Sequence, residues 1–115
     1  MTLSAKQHLF TRLLGKLLVY IYTLPGHTAS IREVQRSKLQ AEANAAAGIG
    51  IAKSLHISSL AADIMLFRDN EFLVKPEDYK VLGDYWLSLD PRCRWGGNFS
   101  KPDAVHFSIE HEGRA

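Results

Sequence analysis

An α+β domain built on an antiparallel sheet is predicted by three observations along the chain. Apolar residues recur at helical spacing near the start and again after Pro76. Between and beyond these stretches lie short β-rich runs bounded by turn residues, the pattern of hairpin strands. The order, with helices first and then among hairpins, does not alternate strand and helix as a parallel sheet would. The 115 residues suit one domain over 1–115, and a hydrophobic fraction of 46% is enough to build its core.

The first helix is expected from about Ser4, an N-capping residue type, to about Tyr22, before Pro25-Gly26. Leu3, Phe10, Leu13, Leu14, Leu17, Leu18 and Ile21 mark its buried face. Thr28–Arg36 carries the β-branched Thr28, Ile31 and Val34 and reads as a strand. Ser37–Ala47 is rich in Ala, Gln, Glu and Lys, with Gly48 placed to end a helix. It reads as a packing element and brings the expected helices to about three. Gly48-Ile49-Gly50 then opens a loop.

Ala61–Phe67 reads as a buried strand, Asp69-Asn70 as a turn, and Phe72-Leu73-Val74 as the returning strand of a hairpin. Pro76 suits the first turn of a helix whose Tyr79, Leu82, Trp86 and Leu89 form one apolar stripe. Asp90-Pro91 ends it. Trp95-Gly96-Gly97 is expected to be a loop or bulge, and Val105–Ile109 a last short strand.

Composition narrows the chemistry. A formal charge of +2 with scattered Lys and Arg gives no nucleic-acid footprint, although it is compatible with an anionic polymer. Cys93 is the only cysteine, so neither an intrachain disulfide nor a thiolate metal cluster can form. Any metal must therefore be held by histidine and carboxylate. Leu13–Tyr22 is interrupted by Gly15 and Lys16 and is too short to span a membrane. It also lacks the cleavage pattern of a secretory signal. Synthesis in the cytoplasm without a signal peptide, no membrane insertion and a monomeric state are the expectations.

His56 and Asp63, separated by a loop and the start of a strand, can converge on one cation. On spacing alone, a loop histidine and a capping aspartate would serve as well. Asp63 stands out because Ala61-Ala62 and Ile64-Met65-Leu66 flank it, and a carboxylate held among apolar residues needs a partner or a metal. His106 heads an apolar strand, and Asp103 precedes it by three residues across a turn. A catalytic zinc site needs three protein ligands, an open position and a carboxylate to take a proton, and His56, Asp63, His106 and Asp103 can supply that set. The plainer alternative makes Asp103 a turn residue and His106 a strand-edge histidine. Arg36 reads from its neighbours as a solvated surface residue; beside a metal it would stabilise an oxyanion. His111 is the competing ligand candidate, and Cys93 beside a histidine is the formal possibility of a thiol protease.

The ordered set of segments resembles the VanY-like metallopeptidases. Ser54-Leu55-His56-Ile57-Ser58-Ser59-Leu60-Ala61-Ala62-Asp63 is similar to their Ser-x-His-x-x-Gly-x-Ala-x-Asp signature, and Asp103-x-x-His106 to their second motif. Glu33-Val34-Gln35-Arg36-Ser37 resembles the segment with their substrate-polarising arginine. Leu82-Gly83-Asp84-Tyr85-Trp86 and Cys93-Arg94-Trp95-Gly96-Gly97-Asn98-Phe99 are similar to the phage-lysin branch, so the likeness runs from about Leu9 to Ile109.

The resemblance implies a small Hedgehog/DD-peptidase-like domain holding zinc (Zn2+) through His56, Asp63 and His106. It implies Asp103 as general base and acid, Arg36 as carbonyl and oxyanion partner, Ser54 as a substrate contact or brace, and Trp95 as a wall of the cleft. The activity implied is endolysin-like hydrolysis of a peptidoglycan stem-peptide amide by zinc-bound water. The L-Ala–D-Glu bond is favoured, on the cell wall after release into the host periplasm. A D-alanyl-D-alanine carboxypeptidase and a non-catalytic zinc-binding phage module are the alternatives. One departure is visible: Ser59 stands where the signature has glycine, and a positive φ there would strain it.

Overall fold

The computed structural model describes residues 1–32 and 58–115. Within them, helix α1 (Leu3–Thr23) is followed by strands β1 (His27–Arg32), β2 (Ala61–Arg68) and β3 (Glu71–Phe72), then helix α2 (Pro76–Leu89), β4 (Cys93–Trp95), a 3-10 turn (Gly96–Asn98) and β5 (His106–Ile109). The expected helix over Ser37–Ala47, the loop from Gly48 and the end of the Thr28–Arg36 strand lie outside the described residues.

The strands form one antiparallel sheet in the order β1-β2-β5-β4. β3 shares with β5 the edge of β2 opposite β1: β5 pairs Ala61–Asp63 and β3 pairs Phe67 and Arg68. The α+β, antiparallel expectation therefore holds.

Alternation along the strands sorts side chains onto two faces. Ile64, Leu66, Phe107 and Ile109 are fully buried on the face that receives the helices. α1 contributes Phe10, Leu13, Leu14, Leu17 and Ile21, and α2 contributes Tyr79, Leu82 and Trp86. Trp86 is the keystone of this layer. Its ring meets Phe10 and Phe107 edge-on at centroid distances of 5.8 and 6.1 Å. Its indole N–H donates to the carbonyls of Arg94 (3.1 Å) and Ser108 (3.0 Å), so the buried donor is satisfied and α2 is pinned across β4 and β5.

Three local expectations need correction. The N-cap of α1 is Thr2, whose hydroxyl accepts from the Ala5 N–H at 3.1 Å; Ser4 lies inside the helix. The return strand of the hairpin is only Glu71–Phe72, because the Leu66 N–H donates to the Tyr79 hydroxyl (3.0 Å), which itself donates to the Leu73 carbonyl (2.7 Å). The Leu73 N–H still donates to the Leu66 carbonyl (2.9 Å), so the Tyr79 hydroxyl of α2 stands in for only the other bond of that pair. Trp95 closes a strand rather than lying in a loop, since β4 pairs with β5 in the register Trp95↔Phe107. The Asp69-Asn70 turn is as expected, with both residues at positive φ (52° and 68°), where Asn and Asp are tolerated best.

Candidate metal centre

The opposite face of the sheet carries the polar cluster. Asp63 on β2 lies directly across from His106 on β5. The bond from the Ile64 N–H to the Val105 carbonyl (2.8 Å) makes Asp63 and His106 a non-hydrogen-bonded pair, the kind in which facing side chains come closest. Asp63 Oδ1 and His106 Nδ1 are 3.9 Å apart, and the two side chains are only 17% and 9% exposed.

Asp103 reaches the same place by a different route. Its carbonyl accepts from the His106 N–H at 3.1 Å, so Asp103-x-x-His106 is a β-turn with aspartate at its first position, where that residue is favoured. The turn is tied down twice more. The Asp103 N–H donates to the Gly96 carbonyl (2.8 Å), and the Trp95 indole N–H donates to the Ala104 carbonyl (2.8 Å). The Phe99 ring lies against His106, with centroids 5.4 Å apart.

One donor atom each from Asp63, Asp103 and His106 lies within 4.8 Å of the other two. Two hard carboxylate oxygens and one imidazole nitrogen are a donor set suited to a divalent cation such as zinc. Tetrahedral zinc with bonds of about 2.1 Å spaces its donors by roughly 3.4 Å, close to the observed Asp63–His106 separation. The residues present therefore fit a metal.

This fold is shared with an endopeptidase of known structure. The chain is similar to the crystal structure of Serratia marcescens L-Ala D-Glu endopeptidase ChiX, with a TM-score of 0.73 at 19% identity over 88% of this chain and 77% of that one. No protein-family model matches the chain, and no curated protein matches it in sequence. At that identity the likeness is one of backbone architecture.

The site residues anticipated from sequence divide into three groups. Asp63 is brought together with Asp103 and His106, some forty residues further along the chain. Arg36, Ser54 and His56 lie outside the described residues. Trp95 is 5% exposed, and its indole lies against Gly83 of α2 and Gly97, so what it offers the cluster is support of the Asp103–His106 turn. The competing candidates are otherwise engaged. His111 Nδ1 is 3.1 Å from Lys6 Nζ. Cys93 is buried, and burial pushes its thiol up to about 12, the reverse of an activated nucleophile.

Ser59 has φ 55°, the left-handed backbone that the departure from glycine raised as a question. The Ser58–Ser59 turn leads into β2, and the Ser58 carbonyl accepts from the Gln7 side chain of α1 at 2.8 Å. A non-glycine residue in this region costs about 1–2 kcal/mol, offset in part by the larger chain entropy glycine loses on folding. Ser59→Gly is expected to stabilise the fold by about 0.5–1 kcal/mol, read as a rise of a few degrees in Tm. A fall in Tm would show that the serine side chain contributes more than its backbone strain costs.

Proposed function

We propose that the protein is a metal-dependent peptidoglycan peptidase that hydrolyses a stem-peptide amide, with L-Ala–D-Glu the preferred bond. The observation that carries this reading is the convergence of Asp63, Asp103 and His106 on a backbone shared with an L-Ala D-Glu endopeptidase. Either one alone would be weak, since folds host many functions and clustered carboxylates are common.

In this reading Asp63 and His106 would hold the metal, with His56 as third ligand. A bound zinc ion supplies Lewis acidity, lowering the pKa of coordinated water and polarising a carbonyl. Asp103 is exposed where Asp63 and His106 are not, which suits a group that exchanges protons with solvent and substrate. Its carboxylate takes the proton of the attacking water and passes it to the leaving amine. Arg36 stabilises the charge that develops on the carbonyl oxygen, and Ser54 orients the substrate. Trp95 holds the turn that carries Asp103 and His106 in register.

Metal analysis of the purified protein, joined to digestion of bacterial wall with and without a chelator, tests the proposal. The expected result is close to one zinc per chain and new N-terminal D-Glu, both lost on chelation. Released D-Ala instead would assign the carboxypeptidase alternative. Bound metal without any new termini would leave a non-catalytic metal-binding module, and absence of metal would sink the scheme.

A further inference from the structure

The register of the sheet places a fourth charged residue in line with the cluster. Arg32 on β1 is directly across from Asp63, which is directly across from His106 on β5. Residues facing each other in antiparallel strands project from the same face, with Cβ atoms about 4.5–5.5 Å apart. Arg32, Asp63 and His106 therefore form one row running across three strands. Asp63 and His106 are largely buried, whereas Arg32 at the end of β1 is exposed. Among the described residues it makes no ion pair, not even with the aspartate opposite.

We infer that Arg32 is a specificity residue that binds a free carboxylate of the substrate beside the scissile amide. This rests on the peptidase reading above. In a stem peptide the D-Glu residue is linked onward through its side-chain carboxyl. Its α-carboxylate is therefore free, on the carbon that bears the scissile nitrogen. A substrate amide seated at Asp63, Asp103 and His106 puts that carboxylate within one strand spacing, about 4.8 Å, of the cluster's edge. Arg32 stands at that spacing, and its long side chain ends in a planar fork that matches a carboxylate. A fixed guanidinium on this side complements the charge of that carboxylate and matches its geometry.

The test compares two soluble substrates, an N-acylated L-Ala–γ-D-Glu–L-Lys peptide and its counterpart with the D-Glu α-carboxylate converted to the amide. Wild type is expected to prefer the acid by about 10- to 100-fold in kcat/KM, the usual size of a charge-assisted pair. Arg32→Gln should collapse that preference toward unity, and Arg32→Lys should keep part of it. Because the readout is a ratio within one variant, partial loss of fold does not mimic it. No preference in wild type, or an unaltered ratio in Arg32→Gln, overturns the inference. Calorimetric binding of the same two peptides to the metal-loaded protein decides the point separately. If wild type cleaves neither peptide, the peptidase reading falls, while the acid-over-amide binding preference and its loss in Arg32→Gln still decide the role of Arg32.

Discussion

Replacing Asp103 by alanine should lower wall hydrolysis by about 100- to 10,000-fold, the usual contribution of a positioned general acid–base. The substitution removes the most exposed of the three clustered donors and leaves Asp63 and His106 facing each other across the sheet. Metal content measured on the same preparation tells two roles apart. Retained metal with lost activity assigns Asp103 to proton transfer. Loss of metal would make it a ligand, which its position within 4.8 Å of the other donors also permits. Hydrolysis at the wild-type rate would end any catalytic role for this residue. Its main-chain bonds to Gly96 and His106 involve no side-chain atom, so the turn itself should persist.

Gly96→Ala is expected to damage both fold and site without altering a single candidate ligand. A Cβ at this position would run into the Asp103 carbonyl oxygen and come within 2.9 Å of the His106 Cβ. The obstacle is backbone, held by the Gly96–Asp103 hydrogen bond, so it cannot swing aside as a side-chain tip would. Overpacking of this kind costs about 1–3 kcal/mol, and the shift falls on the turn that presents Asp103 and His106. Lower Tm together with weakened metal binding is the expected outcome; wild-type metal affinity in the variant would show that the turn can move without carrying the donors with it. Gly83 is the corresponding position on the helical side, where a Cβ would meet the Trp95 indole.

Much of this fold is legible in the sequence. The stripe through Phe10, Leu14, Leu17 and Ile21 marks the buried face of α1, and Pro76 followed by Tyr79, Leu82 and Trp86 marks α2. Periodicity is reliable there because a long amphipathic helix repeats the same signal over several turns. β4 leaves no such signal because it is three residues long, too short for an alternation. The helix cap lies two residues before the one expected, since Thr2 and Ser4 are both good capping types and only the hydrogen bond to Ala5 separates them.

The candidate site followed a similar division. Asp63 and His106 were legible as an acid between apolar residues and a histidine heading an apolar strand. Arg32 carried no such mark, because a charged residue at a strand end is ordinary and only the register puts it across from Asp63.

By itself the sequence determined the residue types available to a metal, the helical faces, the hairpin turn and the question over Ser59. All of these depend on chemistry or spacing within a few residues. Tertiary structure alone decided which strands are neighbours and in what register, and so which distant side chains share one face of the sheet. The physical reason is that strand pairing is a contact between segments far apart in the chain, and a shift of one residue would send Asp63 or His106 to the opposite face.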